Sequence, residues 1–406
     1  MQRAGWDTDE FRTLNSLMAG NPEIEQVRAQ TRQRLIKSLP DGSKRLLERL
    51  SLTTGGFKRT LVLDIAQVDP VVVDGGILFD SLIGSWIDQQ EKDRFSLSPL
   101  LSNFAASSLT DQQKETINFE IANSLVKTRS LDPITANSAL MAAWAGKNEG
   151  VLFKLCMSVV GSDNSDLEMI APYLMILTHM RTDTFAYDDN PAISQIFRGS
   201  QLLLLCCDEN GALTFSAALE SFRKEADRVL PEKLQAGMEL IIYSKLLLSE
   251  PVFGPVPQFL NILQELDALF ENQGKSLPQE FFEGAAQFSD VSTNISFMFL
   301  NQTRQTKKIS DLLSIFESLD ACTAEFRAKI FKNYDVPELP VDIDMLISGA
   351  WLKEHDANTI DPSAHSSAYA HMEKLASGWG RQDLAVACRK YQGIILDEYG
   401  NDKDAA

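Results

Sequence analysis

Apolar residues recur every three or four positions along most of the chain, which is the spacing of one face of an α-helix. Near the N-terminus this spacing predicts a helix from Glu23 to Ser38, preceded by a shorter one that Asp7 or Thr8 can cap. Pro40-Asp41-Gly42 is a strong turn signal. We therefore expect residues 1–40 to form a helical lid or linker that ends at this turn.

The pattern changes between residues 41 and 108, where three short helices precede the only convincing strand pairing in the chain. The helices are predicted at Lys44–Leu52, Arg59–Ala66 and Ile77–Trp86. Trp86-Ile87 and Arg94 to Leu97 flank a polar tip at residues 89–93, as in a β-hairpin. Three helices followed by a hairpin is the order of a winged helix, which is built on the helix-turn-helix unit. Its small core is predicted to consist of Leu47, Leu50, Leu63, Leu82 and Phe95, sealed by Phe57.

Residues 109–406 contain helical patterns only. Thr110 to Gln113 is a capping box that opens a helix, and Asp132-Pro133 places a cap before a proline at the first helical position. The stretches Leu167 to Met180 and Ile309 to Phe331 are each predicted as one helix. Helices of this length joined by short turns are typical of a helical-repeat solenoid.

The last two helices, from Ala368 to Arg381 and from Ala385 to Tyr399, follow a tetratricopeptide-like pattern in which small residues recur where paired helices touch. No polar capping unit follows, so the array is expected to be truncated at its C-terminus. The predicted fold class is all-α: a winged-helix-like domain at 41–108 with one small β-hairpin, followed by a tetratricopeptide-like solenoid at 109–406.

The charge balance narrows the range of partners. Acidic residues outnumber basic ones by 56 to 38, for a net charge of −18, and such a chain repels phosphate backbones. The longest apolar runs are too short to span a bilayer, and the N-terminus has no signal-peptide core. Five cysteines without a CxxC pair indicate no disulfide framework. We expect a cytoplasmic protein that binds neither nucleic acid nor membrane.

Motifs that carry chemistry are missing. The sequence contains no Walker A phosphate loop, no GxSxG, no HExxH and no GxGxxG. His179 lies in an apolar run and is predicted to be a core or lining residue, whereas His355, His365 and His371 are predicted to be surface residues and not metal ligands. We therefore assign no catalytic, cofactor-binding or metal-binding residues and expect no enzymatic activity and no cofactor.

A winged helix often binds DNA through its third helix, so that element needs a separate test. Seven basic residues oppose nine acidic ones within the predicted domain, and Ile77–Trp86 carries Asp80 but no lysine or arginine. Phosphate neutralisation supplies most non-specific DNA affinity. The sequence therefore favours a protein–protein contact at this helix.

Four stretches together resemble the winged-helix domain of signal-transducing NTPases with numerous domains (STAND proteins): Leu46–Leu52, Gly56-Phe57, Gly76–Trp86 and Phe95–Leu101. Members of this family, which include bacterial defence and regulatory ATPases and the NB-ARC group, place a nucleotide-binding motor before the winged helix and a tetratricopeptide-like sensor after it. The resemblance implies that the motor lies outside this chain, upstream of Met1.

The resemblance also implies a nucleotide-sensing position. NB-ARC proteins carry a histidine within a Met-His-Asp triplet, and the matching residues here are Leu97, Ser98 and Pro99. Ser98 can donate a hydrogen bond but supplies no imidazole, so we do not assign it to nucleotide binding.

The first hypothesis is therefore a non-catalytic regulatory and sensor arm of a STAND-type ATPase, which binds a protein partner or a ligand through its helical array and switches conformation. A stand-alone winged-helix transcription regulator with a helical sensor is one alternative. A tetratricopeptide adaptor without an ATPase partner is another.

Overall fold

The computed structural model describes residues 39–91, 93–98, 108–127, 131–273, 291–331 and 343–399. Within these ranges it contains eighteen helices and one antiparallel two-stranded hairpin, so the chain is mostly helical, as the sequence predicts. Two compact units are present: the first ends at Leu152 and the second begins at Phe153. The predicted lid at 1–40 lies almost entirely outside the described residues.

The first unit combines five helices with the hairpin. Its elements are α1 (Asp41–Leu50), α2 (Arg59–Ala66), α3 (Gly75–Leu82), β1 (Ile87–Glu91), β2 (Arg94–Leu97), α4 (Asp111–Leu125) and α5 (Pro133–Ala145). The next helix, α6 (Glu149–Gly161), contains the boundary between the units. The compact unit thus continues beyond residue 108 to include the first two helices that the sequence assigns to the array.

The second unit is formed by helices only among its described residues. They are α7 (Asn164–Ile170), α8 (Met175–Thr178), α9 (Pro191–Leu205), α10 (Gly211–Ala226), α11 (Glu232–Leu248), α12 (Phe259–Gln273), α13 (Val291–Thr303), α14 (Ile309–Asp320), α15 (Ala324–Phe331), α16 (Ile343–Asp356), α17 (Pro362–Gly378) and α18 (Gln382–Tyr399).

A backbone bridge joins the segment between α1 and α2 to the hairpin. The N–H of Phe57 donates to the carbonyl of Phe95 at 2.8 Å, and the N–H of Phe95 donates back at 2.9 Å. The Phe95 ring meets Phe79 of α3 edge to face, with ring centroids 4.9 Å apart. This bridge therefore anchors the hairpin to the helical core of the first unit.

Two details of this region differ from the sequence prediction. Helix α3 ends at Leu82 because Ile83 is extended and Gly84 adopts a positive φ of 85°, so Trp86 follows a turn and not a longer helix. Leu63 is 42% exposed, so its predicted place in the core is wrong, whereas the other predicted core residues are buried. Those buried residues are Leu47, Leu50, Phe57, Leu82 and Phe95.

Two helices predicted as continuous are interrupted in the second unit. The stretch from Leu167 breaks after Ile170, because Pro172 has no N–H for a helical hydrogen bond and its ring clashes with the preceding turn. The stretch from Ile309 breaks after Asp320, where the hydroxyl of Thr323 accepts the N–H of Phe326 and starts a new helix.

Helices of the second unit contact mainly neighbours one to three places along the chain. The paired helices include α9–α10, α11–α12, α12–α13, α14–α16, α14–α17 and α17–α18. In the last pair, Ala368, Ala376 and Ala385 are buried, as the small-residue pattern predicts. Trp379, which ends α17, stacks on Phe316 of α14 with ring centroids 5.5 Å apart.

Candidate functional site

The position that the resemblance assigns to nucleotide sensing is built into the hairpin. Ser98 directly follows β2, is partly buried, and its backbone N–H donates to the carbonyl of Trp86 at 2.9 Å. Leu97, one residue earlier, pairs with Ile87 across the hairpin. Pro99 lies outside the described residues. The location of Ser98 at the end of β2 is fixed by backbone pairing, which needs no nucleotide.

The four histidines lie apart from one another. His179 is exposed at the end of the short helix α8, where its Nδ1 lies 2.9 Å from the Thr178 hydroxyl, so its predicted core position is wrong. His365 is mostly covered and faces Glu354 at 3.6 Å, and His371 lies 4.0 Å from Glu317. His355 stacks on Trp351. Among the described residues, no three His, Cys, Asp or Glu side chains are arranged to share a metal ion.

Asp64 and the adjacent cysteines Cys206 and Cys207 are residue types that could carry chemistry. Asp64 lies on α2, and its carboxylate accepts from the Lys127 ammonium at 2.8 Å, which ties α2 to the segment that follows α4. Burial raises the pKa of Cys206 to about 12 and that of Cys207 to about 11, so both remain protonated thiols at neutral pH. Neither group is prepared for catalysis.

The surface around the start of α3 is the candidate site in the first unit, because large apolar side chains are exposed on α2, on the segment that follows α2 and on α3. We call this surface the α3 face and define it by Leu63, Val71, Val73 and Ile77. Ile77 is 70% exposed and Val73 is 73% exposed. Leu63 lies beside Gly76, the chain neighbour of Ile77, and exposed apolar patches can mark interaction sites in soluble proteins.

Local backbone geometry explains why the valines point outward. The N–H of Val72 donates to the carbonyl of Ala66 at 2.9 Å, which turns the Val72 side chain into the core. Since successive side chains in an extended segment point in opposite directions, Val71 and Val73 face away from that core. Asp69 and Asp74 flank this segment in the chain and are exposed. The α3 face therefore combines exposed apolar side chains with two exposed carboxylates.

Two arginines near the α3 face, Arg59 and Arg49, are engaged within the protein. Arg59 donates to both carboxylate oxygens of Asp80, and this pairing raises the pKa of the guanidinium and lowers that of the carboxyl group. Arg49 is 3% exposed and donates to the carbonyls of Ile65, Val68 and Pro70 at 2.6–2.9 Å. Burial lowers the pKa of Arg49, yet the side chain serves as a cationic cap on the C-terminal end of α2.

A second concentration of buried charge lies inside the second unit. Arg198 on α9 and Glu225 on α10 have fully buried side chains, and the Arg198 Nε donates to Glu225 at 3.0 Å. Arg198 also donates to Gln201 and to the carbonyls of Arg181 and Thr184. One carboxylate oxygen is held by the guanidinium and by the backbone N–H of Ala186, so this network ties the segment before α9 to the core.

The sequence identifies α3 as uncharged apart from Asp80, but it misses how the surrounding residues are arranged. The pairing of Arg59 with Asp80 and the burial of Arg49 depend on packing between helices. The Asp69-Pro70 turn before Val71 to Val73 is the one local signal that could have placed these valines at the surface.

No described helix is both long and apolar enough to cross a bilayer. Comparisons with protein-family models, with curated protein sequences and with solved structures found no match to this chain.

Proposed function

We propose that this chain is a non-catalytic regulatory and sensor protein of the STAND type, whose first unit docks a protein partner and whose helical array senses a ligand or a second protein. The observation that carries the proposal is the α3 face, where a winged helix would contact DNA but where this chain exposes Val73 and Ile77, with exposed carboxylates at Asp69 and Asp74.

The order of elements supports a winged helix in the first unit. Two helices flank a short extended segment at Phe57, a third helix follows, and the hairpin then pairs back with that segment through Phe95. This arrangement gives three antiparallel backbone segments against three helices. The pairing at Phe57 connects residues far apart in the chain, which a chance sequence of short helices would not require.

The charge distribution supports docking of a protein and opposes the transcription-regulator alternative. Arg59 is neutralised by Asp80, Arg49 is buried against carbonyls, and the net charge of the chain is −18. Duplex DNA needs several free cations on the face that approaches it. An exposed apolar surface with carboxylates nearby in the chain instead suits a protein partner with apolar side chains and basic neighbours.

The arrangement of helices in the second unit supports the sensor role. Helices that contact mainly their chain neighbours can shift in small steps along an array, and such arrays present extended binding surfaces. The α17–α18 pair with its buried alanines fits a tetratricopeptide-like repeat, which is also what the adaptor alternative requires. In this proposal the chain acts in the cytoplasm without catalysing a reaction, and an associated ATPase supplies the motor.

The test is site-specific photo-crosslinking in cells that naturally produce the protein. A photoreactive phenylalanine analogue replaces Ile77 on the α3 face, and the cross-linked peptides are identified by mass spectrometry. We expect a cross-link to a protein domain that carries a Walker A motif. The matched control places the same analogue at Leu213 of α10, which is 84% exposed in the second unit.

A cross-link from position 77 to DNA would replace the proposal with the transcription-regulator alternative. Equal cross-linking of the same proteins from positions 77 and 213 would show that the α3 face has no specific partner. A specific protein partner without any NTPase domain would favour the adaptor alternative.

A further inference from the structure

A cavity of about 590 Å³ opens in the second unit beside the start of α14 and the end of α16. It is lined by Lys307, Lys308, Lys353, Glu354, Ala357 and Thr359. We call it the lysine cavity. Its volume lies within the range of about 300–1,000 Å³ that is typical of small-molecule sites.

The ammonium groups of Lys353 and Lys307 donate to backbone carbonyls and retain further N–H donors. The Lys353 ammonium donates to the carbonyls of Arg304 and Thr306, each at 2.8 Å, and the Lys307 ammonium donates to the carbonyl of Val252 at 2.7 Å. Because an ammonium group has three N–H donors, Lys353 keeps one and Lys307 keeps two. Lys308 donates to no described residue and keeps all three.

Carbonyl acceptors orient these ammonium groups without cancelling their charge. Glu354 is the one carboxylate in the lining, and its Oε2 accepts the N–H of Ile309 at 2.7 Å and lies 3.6 Å from the Nε2 of His365. Nearby, Arg304 is paired with Glu250 at 2.6 Å. Three lysines and one glutamate therefore line the lysine cavity, in a chain whose net charge is −18.

The electrostatics of the lining adds one more observation. Burial lowers the pKa of Lys353, and repulsion from Lys307 lowers it further, so these two ammonium groups destabilise one another. The first backbone N–H of α14, that of Ile309, is already bonded to Glu354, so the lysines are the donors in the lining that an anion can use.

We propose that the lysine cavity binds a small polyphosphate, whose adjacent negative charges accept the free N–H donors of Lys307, Lys308 and Lys353. Each charge-assisted hydrogen bond relieves the mutual repulsion of the lysines as well as adding attraction. Long polyanions are disfavoured, because the field of the surrounding acidic protein repels charge that extends beyond the cavity. The biological role of this binding rests on the proposed sensor function. The binding itself requires no partner at the α3 face.

The test is isothermal titration calorimetry of the full chain with inorganic tripolyphosphate in metal-free buffer, with orthophosphate and citrate as parallel ligands. We expect saturable binding of tripolyphosphate at one site, weaker binding of orthophosphate and citrate, and an affinity that falls as salt is added. Lys308→Gln should weaken tripolyphosphate binding about ten-fold, since it removes charge-assisted contacts.

Lys233→Gln on α11 is the matched control. Lys233 is exposed, lies outside the lining and makes no hydrogen bond to described residues, so the variant has the same charge change and should bind like the wild type. Lys307→Gln is the second variant if Lys308→Gln does not fold, and it should also weaken binding. Both variants are checked by thermal unfolding.

Absence of saturable tripolyphosphate binding would overturn the inference. Equal weakening of tripolyphosphate binding by Lys308→Gln and Lys233→Gln would also overturn it, because that result would show that binding depends only on the net charge of the chain. Citrate binding as tight as that of tripolyphosphate would overturn the phosphate assignment, and tighter binding of a short DNA duplex at Lys308 would replace it with a nucleic-acid site. None of these results depends on whether a partner docks at Ile77, so failure here and failure of the proposed function are distinguishable.

Discussion

The buried pair of Arg198 and Glu225 makes the stability of the second unit depend on charge. Arg198 has four acceptors within hydrogen-bond distance: the Glu225 carboxylate, the Gln201 amide and two backbone carbonyls. Glu225 also accepts the N–H of Ala186 at 2.8 Å, while burial raises the pKa of its carboxyl group. Removing one partner of such a pair leaves an unpaired charge out of water, and that penalty exceeds what the intact pair contributes.

Arg198→Met should therefore lower the free energy of unfolding by about 3–5 kcal/mol at pH 7. The loss should shrink as the pH falls, because without Arg198 the pKa of Glu225 in the folded state lies further above its unfolded value, and the protonated carboxyl group carries no charge. Urea unfolding followed by circular dichroism at several pH values measures both effects.

Arg389→Met is the control for that prediction, since Arg389 pairs with Glu373 on an exposed helix surface. Exposed pairs contribute little, so its unfolding midpoint should match that of the wild type. Equal losses in the two variants would mean that the buried pair has no special role.

At the scale of single elements, short-range signals at helix ends decide where helices begin. Thr110 and Gln113 form the reciprocal capping box at the start of α4 that the sequence predicts. Asp132 caps α5 by accepting the backbone N–H and the hydroxyl of Thr135, at 2.9 and 2.6 Å. Burial acts to raise the pKa of Asp132, but these two bonds and the nearby charge of Arg94 hold it below its ordinary value.

Asp132→Ala should lower the free energy of unfolding of the first unit by about 0.5–2 kcal/mol at pH 7, since it leaves the Thr135 N–H without its cap. A carboxyl group whose pKa is lower in the folded state stabilises the fold above its unfolded pKa of about 3.9, and that contribution is lost as the pH falls through the folded value. The difference in stability between the wild type and Asp132→Ala should therefore shrink as the pH falls below the unfolded pKa, and vanish once the pH lies below the folded pKa of Asp132.

Glu115→Ala serves as the control for the cap, because Glu115 is exposed within α4 and caps nothing. Its thermal unfolding midpoint should follow that of the wild type across the same pH range. A constant difference between wild type and Asp132→Ala at all pH values would contradict the capping interpretation.

At the scale of the whole molecule, the division into two units determines how far the effect of a destabilising substitution extends along the chain. Phe57 is 2% exposed and joins α2, the hairpin and the core of a unit that ends at Leu152. The small size of this unit makes its stability sensitive to a single cavity, because net folding stability is only a few kcal/mol. Helices of the second unit have their own core, centred on α9, in which every residue from Ile193 to Leu205 is buried.

Phe57→Ala should lower the free energy of unfolding of the first unit by about 3–5 kcal/mol. Backbone amides up to residue 152 should then exchange with solvent more readily. Amides of the second unit should keep their protection. Hydrogen exchange followed by mass spectrometry measures the two regions in one experiment.

Phe215→Ala is the reciprocal variant, because Phe215 is fully buried in α10 of the second unit. Its loss of protection should be confined to residues after Phe153. Uniform loss of protection along the chain in both variants would show that the two units unfold as one.

The sequence by itself determined the helical class, the hairpin and several helix boundaries, because these depend on interactions between residues a few positions apart. The capping box at Thr110 and the cap at Asp132 are of this kind. The hairpin is present, but its predicted tip at residues 89–93 is too long, because β1 extends to Glu91 and pairs there with Arg94. Periodicity could not detect the breaks after Ile170 and Asp320, since the apolar spacing continues across each one while Pro172 and Thr323 change the backbone.

The tertiary structure alone decided which charges meet. Arg59 is neutralised because α2 packs beside α3 and brings Asp80 to it, and the lysine cavity exists because α16 carries Lys353 to the start of α14. Such partners lie far apart in the chain, so their approach follows from the packing of whole helices and leaves no local signal. The composition of the chain predicts a strongly acidic surface, and only the packing places an excess of positive charge within it.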